Sequence, residues 1–450
     1  MQAKPAKPIN VGIEWQPAIS KMLLCTGGVA LITAVSRSGW AIAVLLATCG
    51  LSFGLGCWLQ KHAGQAARHR IGKAAVPGAI LSLVLLNVTG LVGTLTGTQA
   101  AASGVGSSLI GLPFYLLSAA AFVVEMSNRR TKLPGFLDFL VYMLLPFKLL
   151  AGPLESPRLL AQIQTCRFEL RWSCMRAAWG WVVLGAFMKY VIANRLDPAR
   201  HLAHTDPVTS FLVAGIFELK FYFDFAGYSF MAYGAALAFG LKISQNFDHP
   251  FLARNVVLFW RSWHMSLGRY LARYILEPNL SIWRGRNQKI IFASSIFLIS
   301  AMWHGGTLNY FLWGLFHGAC YYVYGQSVRH RQVPDWLGGV AMLLFFVFGR
   351  MLAIDANGGR LLQRLTNFLL PSAYSLDLGG TTASAAFLSN TEVSALALTA
   401  VFLLAELVSK QRYKNRKGYH LMRKPCSAML LLVMFILFGV DNGSLLYARI

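Results

Sequence analysis

The chain has 450 residues, of which 56% are hydrophobic and 13% charged, and its 41 Lys and Arg against 17 Asp and Glu give a formal net charge of +24. Ordinary soluble domains carry about 25% charged residues, so this composition argues against a soluble enzyme and predicts an integral membrane protein. The seven cysteines form no Cys-x-x-Cys pair, and the sequence indicates neither a disulfide framework nor a metal site.

Long apolar blocks separated by basic residues predict an all-α, polytopic membrane protein. A spanning helix needs roughly 20 apolar residues, and a re-entrant helix needs fewer. We therefore expect about 11–13 transmembrane or re-entrant helices around a central membrane-embedded pocket or tunnel. The block at about 208–242 is long enough for two helices. The blocks lie at about 20–36, 39–59, 75–96, 106–126, 134–151, 175–193, 208–242, 290–304, 308–324, 336–354, 393–408 and 426–444.

The basic residues cluster in loops, and these clusters predict which side of the membrane each loop occupies. Cytoplasmic loops collect Lys and Arg, so we assign five basic segments to the cytoplasm, where they contact anionic lipid headgroups. Binding of nucleic acid would need an extended soluble basic face instead, and we expect none. Two topologies stay open for 134–151, which either crosses the membrane or re-enters with a turn at Pro146 or at Gly152-Pro153. The basic segments are 61–73, 129–132, 284–289, 329–331 and 410–424.

A polar cluster interrupts the 208–242 block and contains Asp224. A carboxylate is costly to place inside an apolar helix, and it therefore needs a partner or a polar cavity. Two interpretations stay open at this point. Asp224 either forms an ion pair with Lys220, one helical turn earlier, or faces a cavity.

A second polar feature is His264, which precedes a segment with an amphipathic pattern. Leu267, Tyr270 and Tyr274 recur at helical spacing, whereas Arg269 falls elsewhere on the helical wheel. This pattern predicts a helix that lies in the plane of the membrane interface.

His304 ends an apolar run that carries no charge from Ile290 onward. A helix from Lys289 to His304 would be about 22 Å long, against a hydrocarbon core of roughly 30 Å. We therefore predict that this helix ends inside the membrane. An imidazole at such a depth marks a functional site by default, because it is costly to bury there.

The residues after His304 predict a helical hairpin. Gly305 and Gly306 break the helix, and 308–324 then returns toward the basic segment 329–331. Backbone that leaves helical geometry inside a membrane is tolerated only where protein or water surrounds it. We therefore expect an aqueous pocket that reaches His304 from the external face.

Several blocks of this sequence together resemble the membrane-bound O-acyltransferase family, and most closely its bacterial branch of alginate O-acetyltransferases and teichoic-acid D-alanyl transfer proteins. The resemblance covers about residues 110–324, and the order of the blocks is that of the family. The blocks are Gly-Leu-Pro-Phe-Tyr (111–115), Leu-Pro-Phe-Lys-Leu-Leu-Ala-Gly-Pro (145–153), Lys-Tyr-Val-Ile-Ala-Asn (189–194), Phe-Asp-Phe-Ala-Gly-Tyr-Ser (223–229), Asn-Phe-Asp-His-Pro-Phe (246–251), the stretch from Phe-Trp to Leu (259–267), and Met-Trp-His-Gly (302–305) with Phe-Leu-Trp-Gly-Leu-Phe-His-Gly (311–318).

The resemblance implies that His304 is the catalytic histidine and that His264, 40 positions earlier, supports it from the same cavity. Acyl transfer to a hydroxyl needs a proton acceptor, and an imidazole with an ordinary pKa of about 6.5 suits that task. The tetrahedral intermediate also needs donors for its oxyanion. We interpret His317 as structural. The residues expected at the substrate or donor are Asp224, Tyr228, Arg261, Trp303, Asn309 and Trp313.

The chain departs from the family pattern in three places, and these departures guide the expected division of the chain into segments. Phe230 stands where the family usually has an acidic residue, and 277–284 replaces a glycine-rich turn. The first 105 residues show no match. We therefore expect one integrated membrane domain made of divergent helices (1–105), an acyltransferase core (106–325) and C-terminal helices (326–450).

The expected function is that of an O-acyltransferase of the bacterial cytoplasmic (inner) membrane. It would transfer an acyl group from a cytoplasmic thioester to a hydroxyl of an exported polysaccharide or envelope polymer. Acetyl is the first candidate for this group. No bound cofactor is implied, because acetyl-coenzyme A or an acyl carrier protein serves as a substrate. The acceptor is reached directly or through periplasmic or envelope partner proteins, and direct and covalent transfer both stay open. The alternatives are D-alanyl transfer to a teichoic-acid-like polymer, or a non-catalytic transporter, although no internal repeat typical of transporters is present.

Overall fold

A computed structural model describes residues 17–36, 39–96, 111–149, 152–279, 285–304, 308–328, 334–355, 357–374 and 388–412. Within these ranges the chain is helical and contains no strand, so the predicted all-α fold is confirmed. The main helices are α1 Pro17–Ser36, α2 Gly39–Lys61, α3 Gln65–Thr96, α4 Leu112–Ser127, α5 Phe136–Leu144, α6 Pro146–Leu149, α7 Leu159–Thr165, α8 Trp172–Ala186, α9 Pro207–Ala238, α10 Val256–Ser262, α11 Met265–Leu271, α12 Arg286–His304, α13 Leu308–Val323, α14 Asp335–Ala353, α15 Gly358–Leu369 and α16 Asn390–Arg412.

Most predicted apolar blocks coincide with a helix, but two differ. The 208–242 block forms one helix of 32 residues, α9, rather than two. The 134–151 block breaks at Leu145 into α5 and α6, because Pro146 cannot continue the hydrogen bonding of α5. The nine residues of α5 cover only about 14 Å, so this block is not one spanning helix. The predicted block 426–444 lies outside the described residues.

Few helices among the described residues could cross a membrane unaided. Two segments, Pro17–Ala34 and Ile42–Lys61, are long and apolar enough. Two shorter apolar helices, Leu112–Ser127 and Leu337–Ala353, fall below the required length.

The long helix α9 packs against α8 at a very short distance. Gly185 of α8 faces Gly227 of α9, and a Cβ atom on Gly227 would lie 2.7 Å from the Gly185 carbonyl oxygen. Only glycine permits this approach, because any side chain would force the helices apart. Tyr222, Phe223 and Phe225 of α9 are fully buried in the apolar core around this contact. α9 is therefore a fixed wall for the elements that follow it.

Helices α12 and α13 form the predicted antiparallel hairpin, with His304 at the end of α12. A Cβ atom on Gly314 would lie 2.7 Å from the Cβ of Ala301, and one on Gly318 would lie 2.8 Å from the Ser294 carbonyl oxygen. Small residues thus let the two helices touch along their length, and this contact fixes the position of His304.

The α12 helix is longer than the sequence suggested. It begins at Arg286 and has 19 residues, which corresponds to about 28 Å. The prediction that its apolar part stops short of the far membrane surface stays a prediction. Residues 305–307, at the turn, lie outside the described residues.

Buried ionic contacts join helices that are distant in sequence. Arg273 follows α11 and donates a hydrogen bond of 2.8 Å to Glu125 of α4, which also accepts one of 3.0 Å from Tyr274. Lys189, in the π-helical extension of α8, pairs with Asp224 of α9. Buried charges are tolerated when they are paired and hydrogen-bonded, so these contacts fix the relative positions of the helices.

Two further contacts tie the C-terminal helices to the same core. His249 Nδ1 lies 3.3 Å from Glu406 Oε1 of α16. Asp355, just beyond α14, contacts Arg360 and the fully buried Arg364 of α15. The sequence did not predict α15, because this helix is amphipathic and carries few apolar residues. We refer to these contacts as the structural polar pairs: Glu125–Arg273, Lys189–Asp224, His249–Glu406 and Asp355–Arg360/Arg364.

Candidate active site

A cavity of about 410 Å³ lies between α9, α10, α11, the α12–α13 hairpin and α14. Its wall is mainly aromatic and aliphatic, with few polar side chains. These include His264, His304 and His317, together with Glu218 and Arg350. Apolar cavities with a few convergent polar groups are the usual form of binding and reaction sites. The structure thus brings the two histidines singled out in the sequence to one cavity.

His304 reaches this cavity from the tip of the hairpin. Its ring stacks on Tyr310, with centroids 6.1 Å apart and planes at 21°, and meets Trp313 edge-on at 6.3 Å. Both aromatic residues belong to α13, so the hairpin itself orients the imidazole. The side chain is half-buried, and its ring is therefore accessible from the cavity.

His264 stands at the start of α11 with φ 42° and ψ 50°, a left-handed conformation that favours glycine. Its buried ring meets Phe225 edge-on, with centroids 4.7 Å apart. Asn246 holds the bend, since its carbonyl oxygen accepts from the Met265 N–H at 2.9 Å and its side-chain oxygen accepts from the Ser266 N–H at 3.4 Å. Such a backbone costs about 1–3 kcal/mol and persists only where its surroundings fix it. The fold therefore imposes the direction of the His264 ring.

His317, which the sequence led us to interpret as structural, also lines the cavity. Its ring centroid lies 4.5 Å from that of Trp313, 5.2 Å from Trp260 and 4.6 Å from Phe345. Gly349 leaves room for the ring, because a Cβ atom there would lie 2.6 Å from Nε2. Among the described residues, no group is hydrogen-bonded to Nδ1. His317 is thus both a packing residue and a polar group of the cavity wall.

The sequence analysis missed the ion pair formed by Glu218 of α9 and Arg350 of α14. Arg350 Nε donates to Glu218 Oε2 over 2.5 Å, and both side chains line the cavity. The guanidinium carbon lies 4.2 Å from the centroid of the Phe221 ring, within the range of a cation–π contact. The signal that could have revealed this pair is a charge inside an apolar block, since Glu218 and Arg350 lie in 208–242 and 336–354.

Asp224 and Tyr228 do not lie on the cavity wall. Asp224 pairs with Lys189, which the α8–α9 contact brings across to it. The charge of Lys220 also acts on this carboxylate, and the Lys220 amine donates to the Leu196 carbonyl oxygen. Tyr228 is partly buried against the apolar core. Neither residue is in a position to contact a ligand in this cavity.

The remaining predicted residues divide into two groups. Arg261 and Trp313 line the cavity. Asn309 is buried elsewhere, and its side-chain N–H₂ donates to the Asp355 carbonyl oxygen over 2.5 Å, so it is occupied in holding the end of α14. The side chain of Trp303 lies outside the described residues, as does the backbone at the predicted Gly305-Gly306 break.

The cavity can support proton transfer. It contains imidazoles, which exchange protons near neutral pH, and an aromatic wall that limits the access of water. No group of three or more His, Cys, Asp or Glu residues suitable for a metal ion occurs in the described part of the chain. The imidazole, carboxylate and guanidinium groups of the cavity wall can take part in acid–base catalysis and charge stabilisation.

Comparison with protein families gives one match over most of the chain. The model of the MBOAT, membrane-bound O-acyltransferase, family matches residues 30–353. This range includes the cavity and all three of its histidines. It also covers residues 30–105, so the expectation that the first 105 residues do not match the family is wrong for most of that segment.

Individual relatives match about half of the chain. A probable alginate O-acetylase from Pseudomonas syringae pv. tomato is 30% identical over 217 residues, which are 46% of this chain and 41% of that protein. A peptidoglycan O-acetyltransferase from Helicobacter pylori is 32% identical over 235 residues, 48% of this chain and 43% of that protein. A teichoic acid D-alanyltransferase from Streptococcus thermophilus is 27% identical over 258 residues, 53% of this chain and 60% of that protein. The chain thus spans less than half of the length of the O-acetylating relatives.

Proposed function

Because the chain belongs to the membrane-bound O-acyltransferase family, we propose that it transfers an acyl group, in the first instance acetyl, from a thioester to a hydroxyl of an exported polysaccharide or cell-envelope polymer. His304 acts as the general base. The observation that carries this proposal is that His304, at the tip of the α12–α13 hairpin, shares one largely apolar cavity with His264.

The reaction begins when the acceptor hydroxyl gives its proton to the His304 imidazole as the oxygen forms a bond to the thioester carbonyl carbon. The tetrahedral intermediate then collapses, the carbon–sulfur bond breaks, and the protonated imidazole returns the proton to the leaving thiolate. A positioned general base of this kind contributes about 10²–10⁴-fold to a rate. His304 is held for this task by Tyr310 and Trp313.

His264 orients the acceptor and supports the transition state. Its ring direction is imposed by the left-handed backbone and by the contacts of Asn246. A residue whose geometry is fixed before substrate arrives loses little freedom on binding, and such preorganisation favours the transition state.

The proposed enzyme is a multi-pass protein of the bacterial cytoplasmic membrane. Its basic loops would face the cytoplasm, where their charge suits an acidic donor, either acetyl-coenzyme A or an acyl carrier protein. The acceptor then meets the donor at His304 from the outer side, directly or through envelope partner proteins. The cavity volume of about 410 Å³ is within the range of about 300–1,000 Å³ that accommodates small ligands.

D-alanyl transfer to a teichoic-acid-like polymer is a second candidate. The observation in its favour is the Streptococcus thermophilus D-alanyltransferase, 60% of which is matched by this chain. The same histidine chemistry serves both acyl groups, so the two candidates differ in the donor and not in the base.

The test is the O-acyl content of the envelope polymers in a deletion strain that expresses the wild-type chain, His304→Ala or His69→Ala. His69 is an exposed histidine of α3 and serves as the matched control. We expect His304→Ala to abolish acylation at an unchanged protein level and His69→Ala to retain it. Mass spectrometry of the polymers identifies acetyl or alanyl. Full acylation by His304→Ala would contradict the catalytic role and favour a transporter.

A further inference from the structure

The cavity holds a buried cation whose hydrogen-bonding capacity is mostly unused. Arg350 is 8% exposed and lines the cavity, and its Nε donates to Glu218. A guanidinium has five N–H donors, of which the Nε–H is one. Among the described residues, no hydrogen bond joins the two Nη groups to an acceptor. Four N–H donors of Arg350 are therefore available to a ligand.

The position of this guanidinium is well defined. Glu218 holds the Nε edge, and Phe221 lies beneath the plane at 4.2 Å from the guanidinium carbon. Both residues belong to α9, whose position the Gly185–Gly227 contact fixes. The Nη groups are thereby held in place before any ligand arrives. Donors that need no reorganisation stabilise the negative charge that develops in a transition state most strongly.

The charge of Arg350 also acts on the catalytic end of the cavity. His304, Tyr310 and His317 line the same cavity as the guanidinium. In a largely apolar cavity such an interaction is stronger than in water. The same cation can therefore act on negative charge that forms beside His304.

We propose that Arg350, positioned by Glu218, stabilises the oxyanion of the tetrahedral intermediate in acyl transfer. The inference rests on the proposed function and adds to it the group that receives the negative charge. When the acceptor oxygen bonds to the thioester carbonyl carbon, the carbonyl π electrons move to its oxygen, which accepts hydrogen bonds from the Nη groups. When the carbon–sulfur bond breaks, the carbonyl re-forms, the thiolate takes the proton held by His304, and Arg350 keeps all its protons throughout.

Arg350 fits this role better than Asn309 and Trp313, two hydrogen-bond donors that the sequence placed at the substrate. The Asn309 amide N–H₂ donates to the Asp355 carbonyl and does not line the cavity. Trp313 has a single indole donor and no charge. Arg350 offers both several donors and a formal charge, as a developing oxyanion requires.

The experiment measures transfer of radiolabelled acetyl from acetyl-coenzyme A to polysaccharide purified from the deletion strain. The full chain in detergent or lipid nanodiscs is compared as wild type, His304→Ala, Arg350→Gln, Arg350→Lys, Arg350→Ala and Arg273→Gln. Arg273 is the matched control, because it forms a buried pair with Glu125 but does not line the cavity. The thermal unfolding temperature of every variant is recorded.

We expect Arg350→Gln to lower kcat by about 10²–10³-fold, the usual effect of losing an oxyanion donor, with little change in KM. Arg350→Lys keeps a charge without the planar donors and should retain more activity than Arg350→Gln. Arg273→Gln should lower the unfolding temperature but leave kcat within about threefold of wild type once folded protein is counted. Added guanidinium ion should restore part of the activity of an Arg350→Ala variant.

Three outcomes would overturn the inference. Equal losses of kcat in the Arg350 and Arg273 variants, in step with the unfolding temperature, would make Arg350 a structural residue. The Arg350 variants could instead show a higher KM for the acceptor, with no such rise for polysaccharide whose carboxyl groups have been reduced. Arg350 would then bind a carboxylate of the acceptor. If kcat were unchanged in Arg350→Gln while His304→Ala was inactive, Arg350 would not stabilise the transition state. If wild-type transfer itself does not depend on His304, the proposed function fails instead.

Discussion

His249 and His264 share an uncommon backbone conformation but differ in their surroundings. Both have a positive φ, 52° and 42°, and both are buried, with 4% and 5% of their surface exposed. His249 faces the carboxylate of Glu406 and joins α16 to the core. His264 lines a cavity together with His304 and His317. The same type of strained, buried histidine thus joins helices in one region and lines the proposed reaction site in the other.

The two buried arginine pairs repeat this contrast. Arg273 uses Nε and Nη2 to bind Glu125, which Tyr274 also contacts. Arg350 binds Glu218 through Nε alone and lines the cavity. Buried polar groups normally have partners, and an incomplete set calls for an explanation. Arg273 thus engages Glu125 through two of its nitrogens, whereas Arg350 engages Glu218 through one and keeps its Nη donors for a ligand in the cavity.

The largest expected effect comes from a comparison of two alanine variants, His304→Ala at the cavity and His249→Ala at the Glu406 contact. His304→Ala should lower acyl transfer by about 10²–10⁴-fold, because the general base is lost, and should change the unfolding temperature little. His249→Ala should do the reverse, since it removes the imidazole that faces the buried Glu406 carboxylate and leaves a void beside it. Specific activity and thermal unfolding of both purified variants check this. A His249→Ala protein that is stable but inactive would end the distinction between the two regions.

A second large effect is expected at the Lys189–Asp224 pair. Asp224→Ala should destabilise the fold by about 3–5 kcal/mol, because it leaves a buried ammonium without its partner. The turnover of the remaining folded enzyme should stay near the wild-type value, since Asp224 does not line the cavity. Denaturant unfolding in detergent, with activity normalised to folded protein, measures both. If the Asp224→Ala variant were fully stable but had lost turnover, Asp224 would take part in the reaction and not only in the fold.

The sequence predicted the local features of this contrast better than its long-range contacts. Apolar block lengths gave the helices, and the break after His304 gave the hairpin, because both depend on residues close in the chain. Helical spacing offered Lys220 as a partner of Asp224 but could not reveal Lys189, which reaches it through helix packing. A pairing across 35 positions cannot be read from periodicity.

The cavity wall shows the same limit of sequence reasoning. His264 and His304 were found because each stands at a change in local pattern. Glu218 and Arg350 are 132 positions apart, and neither carries a motif that indicates a mutual contact. His317 was interpreted as packing because helical spacing reveals a shared face with Trp313 but not the cavity beyond it. Roles that depend on which helices meet had to come from the structure.

A smaller effect would sharpen the comparison at the His264 backbone. His264→Gly should be more stable to unfolding than His264→Ala by about 1 kcal/mol, because glycine adopts a positive φ without steric cost. Both variants lack the imidazole, so both should lose acyl transfer to the same extent. Paired unfolding curves and initial rates provide the measurement. If the glycine variant were much more active than the alanine variant, the backbone rather than the ring of His264 would be what the reaction needs.

The smallest effect is expected from acid at Asp355, beyond the end of α14. Burial raises the pKa of this carboxyl, but hydrogen bonds from Arg360 and the Asn357 N–H, with the charge of Arg364, outweigh it and hold the pKa below its usual value. The folded chain therefore binds this proton less readily than the unfolded chain, whose Asp has a pKa of about 3.9. The stabilisation is complete above that pH and is lost as the pH falls through the lower folded pKa. The difference in unfolding temperature between wild type and Asp355→Asn should hence stay constant from about pH 7 to 5 and shrink below about pH 4. A difference that instead changed near pH 6–7 would point to a histidine, and Asp355 would then not be an independent structural pair.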